Sequence, residues 1–352
     1  MGTGWFATRE DVRSALGSAS SARDDAQIDR AIESASRDAE SLCQRDFQPV
    51  LDTRYFDWPS EQTPRSWRLW LDRNELISAI LIQSAGVEIP DTDYYLEPTN
   101  SGPPYNRVET RLDRPSAWDS GDTHQHAASI LGWYGHSDVQ TPAGTLAVGV
   151  DATATEVTVA DPTAVGVGDL LSAGAERMTV TGRALASTGQ TLQAPLGAQK
   201  NDVLVQVADV TAFHPGEVLT LGAERMRVRD ITDALLVERA YDGTQLDSHT
   251  SETIWAPRRL TVTRGAAGTT ATSHSDAAAL SRWVAPGLLR TLTIADAICT
   301  LLSEQAGYAR TVRAQAGTSG TRSVAAVTVE RDSLRQQVAD SDLCRKIRIR
   351  AV

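Results

Sequence analysis

A five-residue string that returns after 48 residues constrains this chain more than any other feature. Gly174-Ala175-Glu176-Arg177-Met178 recurs as Gly222-Ala223-Glu224-Arg225-Met226. The flanks agree, since Val167-Gly168-Asp169-Leu170-Leu171 matches Pro215-Gly216-Glu217-Val218-Leu219. A second correspondence runs at a 25-residue offset. In it Val237, Arg239, Gly243, Thr244, Ser248 and His249 answer to Val262, Arg264, Gly268, Thr269, Ser273 and His274. Repeats of this size are copies of a supersecondary unit. One unit reads as a hairpin turning at Gly-Ala-Glu, a strand ending in Arg, and a Gly-Thr turn. The first copy has a degenerate second half (183–197), and the last copy carries only the second half. Residues 144–284 are therefore expected to form an all-β domain of tandem small units. Their Ala, Val, Thr and Gly content fits, as do alternating runs such as Thr155-Glu156-Val157-Thr158-Val159.

The flanking regions follow different periods. Ile28, Ala31, Ile32, Ala35, Ala39, Leu42 and Cys43 recur at three- and four-residue steps, which predicts a long amphipathic helix starting near Asp24 or Asp25 as cap. Pro49 stops it after Phe47-Gln48, and a strand over 53–58 follows. A shorter helix over 8–16, ended by Gly17, precedes it, with 18–22 as linker. Residues 51–135 read as β-rich: 69–71 and 76–82 around a turn at 72–74, then 87–89, 94–96, 107–112 and 127–134. After Pro286 a helical stripe returns through Leu288, Leu292, Ala295, Ile298, Cys299 and Leu302, ended by Gly307. This helix gives the N-terminal pair its partner, so the β repeats read as an insertion into a parent domain. Residues 311–321 read as mobile and 329–338 as a short helix.

This succession resembles the head–tail connector (head-completion, or adaptor) family of tailed bacteriophages, over roughly residues 5–140 and 286–352. That family opens with a T-x-E-x-V-x-x-x-L-G helix and leaves its long helix through R-x-F. The residues that match are Thr8, Glu10 or Asp11, Val12, Leu16 and Gly17, then Arg45 and Phe47. The resemblance implies an α+β chain whose helical connector body of antiparallel helices, plus a small β part, is interrupted by the inserted all-β domain. Residues 1–140 and 286–352 are the two parts of the core, with 8–16, 25–47 and 286–306 as body helices, and 144–284 is the insert. It also implies a non-enzymatic virion protein that assembles in the host cytoplasm into a ring of its own copies, a dodecamer, under the portal protein. Such a ring extends the channel through which genomic DNA passes without sequence-specific binding. It also seats the next connector, stopper or tail-terminator protein. The C-terminal tail Arg345, Lys346, Ile347, Arg348, Ile349 and Arg350 is the implied portal-docking segment. An edge strand that merely resists aggregation, a plain solvated end and a DNA contact are the other readings. The alternative for the whole chain is a phage surface, receptor-binding or decoration module built on the β repeats. Few aromatics in the repeats (Phe213, Tyr241, Trp255) weaken a sugar-binding version of it.

A net charge of −11 argues against a general phosphate-backbone binder. No basic region followed by an apolar run opens the chain, and no apolar stretch is long enough for a membrane span. Cys43, Cys299 and Cys344 read as reduced, buried thiols with no disulfide frame and no zinc pair. His124 and His126, with His136 later, form an H-x-H that reads as a solvated loop before it reads as a metal site. His249 and His274 each follow a Ser and have Asp247 or Asp276 nearby, as a hydrolase would need. Their identical placement in two repeats favours a hydrogen-bonded turn. Likewise the adjacent Glu and Arg of each Gly-Ala-Glu-Arg-Met read as a hairpin salt bridge. No catalytic, metal or cofactor site is expected.

Overall fold

The computed structural model describes residues 4–16, 24–59, 65–305 and 324–345. Helices lie at the two ends of this span: α1 (Arg9–Leu16) and α2 (Asp25–Cys43), then α3 (Gly287–Gln305) and α4 (Val324–Asp340). The Ala-rich stripe puts Ile28, Ala31, Ile32 and Ala35 of α2 against Ala297, Ile298, Leu301 and Leu302 of α3. Val12 and Leu16 of α1 join the same core. Leu42, expected in the stripe, is 38% exposed. α2 ends at Cys43 rather than running to Phe47. Gln44 turns left-handed there, and the N–H groups of Gln44 and Arg45 bond back to the carbonyls of Ser41 and Glu40. Asp24 occupies the N-cap position, but its carboxylate makes no capping hydrogen bond. Instead Arg9 reaches across from α1 to Asp25 and Asp29 and holds the two helices together.

Everything between the helices is β. The first block holds β1 (Val50–Phe56), β2 (Arg68–Trp70), β3 (Leu76–Ser84), β4 (Val87–Glu88), β5 (Tyr94–Glu97), β6 (Arg107–Thr110) and β7 (Ala128–Tyr134). They make two antiparallel sheets, ordered β1-β7-β3-β4 and β2-β6-β5, around Phe56, Leu71, Leu76, Val108, Ile130 and Tyr134. The second block holds β8 (Gln140–Thr145), β9 (Glu156–Thr158), β10 (Leu170–Ala173), β11 (Glu176–Thr191), β12 (Leu204–Val205), β13 (Val218–Leu221), β14 (Glu224–Ile231), β15 (Leu235–Glu238), β16 (Thr253–Thr263) and β17 (Ala279–Trp283). These form one ten-stranded sheet.

The chain is thus predominantly β, with seventeen strands against four helices among the described residues. The expected helical connector body with a small β part is overturned. The helical periodicity is confined to the chain ends, whereas alternation governs most of 50–283. The helices pack against the β part, α1 through the Arg9 N–H to the Val167 carbonyl and α2 and α3 on Leu170 and Trp283.

The repeats are also not in tandem; they are nested. In the second copy β14 turns into β15 through Thr232-Asp233-Ala234, with Ile231 opposite Leu235. In the first copy the equivalent partners are Arg183 and Leu260, and residues 184–259 fill the place of that three-residue turn. The registers agree pair by pair. Val228 faces Val237 as Val180 faces Val262, and both ladders carry a bulge at the next step. Leu219 faces Met226 as Leu171 faces Met178. Val205 faces Leu235 as Val157 faces Leu260. Module one is therefore 140–183 joined with 260–283, and module two is 184–259, a copy set into a turn of the original. Each has its own apolar core, around Leu146, Val157, Leu171, Met178 and Val262 in one and Leu196, Val205, Leu219, Met226 and Val237 in the other. What reads in sequence as a trailing half-copy is the second half of module one.

Candidate functional site

Nesting explains where the repeated Glu, Arg and His go. In module two the Glu224 carboxylate is fully buried and receives both ends of the Arg239 guanidinium, at 2.7 Å each. The backbone N–H groups of Ala240 (3.0 Å) and Asp247 (3.1 Å) donate to it as well, and His249 Nε2 lies 3.1 Å away. In module one Glu176 takes Arg264 at 2.7 and 2.8 Å, the N–H of Gly265 at 3.1 Å and of Thr272 at 2.9 Å, and His274 Nε2 at 2.8 Å. Each Arg also donates to carbonyls that fasten a neighbouring loop: Gly197, Asp202 and Asp247 for Arg239, and Asp151, Ala154 and Thr272 for Arg264. Glu176 meets its arginine across 88 residues because module two intervenes.

The remaining repeat residues shape this node. Gly174 and Gly222 take φ of +56° and +53° at the hairpin tips, a conformation that side chains with a Cβ rarely adopt. Thr269 and Thr244 place their hydroxyls under the N–H groups of Arg177 and Arg225, and Gly268 and Gly243 precede them with φ of +79° and +75°. The adjacent Glu and Arg of the motif do not pair with each other, contrary to expectation. Consecutive strand residues point to opposite faces. Glu176 and Glu224 go inward, while Arg177 binds Asp138 and Arg225 binds Asp242.

Chemically the node is a buried, saturated carboxylate. Burial alone would raise the pKa of Glu176 and Glu224, but the arginine, the two N–H donors and the histidine outweigh it and hold both at about 2. Both imidazoles are committed to glutamates, and His249 has a second one at Glu252, 3.1 Å from Nδ1. Ser248 and Ser273 are exposed, and Asp247 and Asp276 accept from the N–H groups of Ser248 and Gly149. These residues do not converge on a nucleophile.

His124 and His126 stack on different rings, Trp58 and Tyr55. His136 lies apart, against Phe47 and Arg45, and burial with that arginine lowers its pKa to about 4. Among the described residues no group of three or more metal-ligating side chains occurs.

The C-terminal exit is clamped. Cys344 forms a disulfide with Cys43 at the end of α2, which corrects the expectation of three reduced thiols; Cys299 is the buried free thiol. Nothing in the cysteine spacing signals a bond spanning 301 residues. Arg345 adds an N–H bond to the Cys43 carbonyl and an ion pair to Glu75, which Arg45 shares. Lys346, Ile347, Arg348, Ile349 and Arg350 lie outside the described residues, as do the segments read as a linker (18–22), a mobile stretch (311–321) and the helix-ending glycines Gly17 and Gly307. Because the bond closes so long a loop, Cys344→Ser should lower stability by about 2–4 kcal/mol in oxidising buffer. Denaturant titrations with and without reductant test this: reductant should abolish the gap between variant and parent.

No protein-family model matches the chain, and no curated protein or solved structure matches it either.

Proposed function

We propose that the protein is a structural component of a tailed-phage virion, a head-to-tail adaptor that forms a ring under the portal and seats the next connector or tail protein. The observation that carries this reading is the element order together with the way the chain ends meet. α1 and α2 pack on α3 across more than 240 intervening residues, while Cys43–Cys344 and the Arg345–Glu75 pair fix the start of a basic tail to the same body. The β modules leave this body at 140 and return to it at 283, so they elaborate it without interrupting it. In a ring the tail would present Lys346, Arg348 and Arg350 to acidic groups of the portal, with Arg345 held by Glu75 as the tail's anchor. The net charge of −11 would suit a channel wall past which DNA slides without adhering. The Glu–Arg–His nodes serve this role as rigidifiers of the modules.

Deleting the gene from its phage and imaging the lysate by negative-stain electron microscopy tests the proposal. Free tails beside tailless, leaking heads are the expected result. Complete virions that fail to attach to cells would overturn it in favour of surface recognition by the β modules.

A further inference from the structure

The two modules have the same face, and only one of them is covered. In module one Leu170 and Ser172 of β10 are 2% and 6% exposed, and Leu170 belongs to the aromatic cluster of Phe6, Phe47 and Trp283. The Arg177 side chain is 6% exposed, stacks 4.9 Å over the Trp133 ring and pairs with Asp138 at 2.6 Å. A Cβ on Gly268 would lie 2.0 Å from the Leu51 carbonyl oxygen, so this loop sits directly on the backbone of β1. The cover is thus an aromatic ring, a carboxylate and a β-strand.

The corresponding residues of module two are Val218, Thr220, Arg225 and Gly243. Val218 and Thr220 are only half-buried, and the Arg225 side chain is 50% exposed. A Cβ on Gly243 would meet nothing within 4 Å. All four line a cleft of about 1150 Å³ between module two and α1. The arginines on its walls are already engaged, Arg9, Arg13, Arg183 and Arg225 each with a carboxylate and Arg227 over the Tyr241 ring, which argues against an anion site.

The same chain offers an exposed surface of the kind that covers module one. Tyr55 on β1 is 60% exposed, and Asp57 two residues on is also exposed. In the sheet register Tyr55 lies opposite Ser129, four residues along each strand from the Leu51–Trp133 pair and on the face that carries Leu51, Leu131 and Trp133. The Leu51–Trp133 end of this face is taken by the molecule's own module one, and the Tyr55–Asp57 end is exposed, edged by His126, whose ring stacks on Tyr55 and whose N–H bonds to Asp57.

We propose that the open face of module two, centred on Arg225, docks onto the Tyr55–Asp57 end of β1 in a second copy of this chain. Arg225 would stack on Tyr55 and pair with Asp57, as Arg177 does with Trp133 and Asp138 inside one molecule. Exchange of its exposed intramolecular partner Asp242 sacrifices little, since such surface pairs contribute little. The contact joins two different patches, so it is heterologous and propagates to a ring or a filament. It deepens the ring reading by naming a subunit contact, and it depends on that reading only for the ring's place in a virion.

Sedimentation velocity on the purified full chain at rising concentration tests the contact. The parent should self-associate, and Arg225→Glu and Asp57→Arg should each weaken association by about tenfold or more. Each variant gives up one exposed intramolecular contact, Arg225–Asp242 or the His126 N–H to Asp57, so the melting temperature should fall only slightly. Mixing the two variants in equal amounts should restore part of the association, because contacts with the native charges alternate with contacts in which the two charges are exchanged. A parent that stays monomeric, or variants that associate as the parent does, would overturn the proposal. Self-association without a head–tail defect in the gene deletion would leave the contact standing and remove the adaptor reading.

Discussion

Glu224→Gln should destabilise module two by about 3–5 kcal/mol, the usual cost of removing one partner from a buried ion pair. The carboxylate is fully buried and accepts from Arg239, Ala240, Asp247 and His249. Glutamine keeps the shape but brings an NH2 group among donors, and it leaves the Arg239 guanidinium buried without its counter-charge. The damage should be local, because module one has its own core and its own node at Glu176. Hydrogen exchange read by mass spectrometry should show faster exchange over 196–252 and little change over 157–180. Uniform loss of protection through both modules would mean that they unfold as one unit.

The same carboxylates set the acid limb of stability. Glu176 and Glu224 titrate at about 2 when folded, against an ordinary value near 4.5. A depressed folded pKa contributes stability that is complete above the unfolded value and is lost as pH falls from there through the folded one. Each node therefore stabilises by about 3 kcal/mol at neutral pH, and this support drains between about pH 4.5 and 2. His136, held near 4 by burial and Arg45, acts in the same direction at higher pH, between its ordinary 6.5 and 4. Asp169 opposes them. Burial raises it to about 6 despite the Gly166 N–H, so its favourable contribution is present below its ordinary value of 3.8 and lost as pH rises through 6. Glu40, raised to about 7 by burial against the pull of Arg37, behaves likewise. The Glu224→Gln penalty should accordingly shrink toward pH 2, where the parent has lost the same charge.

How much of this was written in the residues depends on the range of each interaction. The α2 stripe, the α1 and α3 helices and most strands of 50–134 follow from local period, and the structure places them within a few residues. The site residues were visible as repeats, and their inward or outward direction follows from strand alternation. Their partners were not visible. Glu176 precedes Arg177 in sequence but meets Arg264, because pairing in a sheet depends on which strands lie side by side and not on proximity along the chain. The 25-residue spacing from Arg239 to Arg264 invites a tandem reading. The signal against it was the orphaned half-copy after residue 259, which matched the missing half of the first copy. The Cys43–Cys344 bond and the Arg45–Glu75–Arg345 cluster join the chain ends, and no local pattern reports such contacts. The α2 stripe is a strong local signal, while most of the seventeen strands are under ten residues and each carries a weak one.

Removing residues 184–259 and joining Arg183 to Leu260 through Thr-Asp-Ala, the turn that module two itself uses, should leave a folded protein. Arg183 and Leu260 already face each other in the ladder, as Ile231 and Leu235 do where that turn is native. The excision keeps Glu176, Arg264 and His274 together, and it keeps the Arg183–Glu10 pair that ties module one to α1. From module one it discards the ion pairs Arg259–Glu156 and His214–Asp161, contacts of little energetic weight, and the bond from the Val159 N–H to the Arg258 carbonyl. Circular dichroism should retain a cooperative melt, and hydrogen exchange over 157–180 should match the parent. Self-association through Arg225 should vanish with the module. A tandem array predicts something different, namely that any 48-residue period can be removed without a seam. Deleting 177–224 makes such a cut, joining Glu176 to Arg225. In the nested molecule that carboxylate then falls in the strand that meets Arg239 and His249, and Arg264 and His274 are left buried with no counter-charge. The seamless deletion should therefore unfold module one, while the longer excision, which respects the nesting, should not.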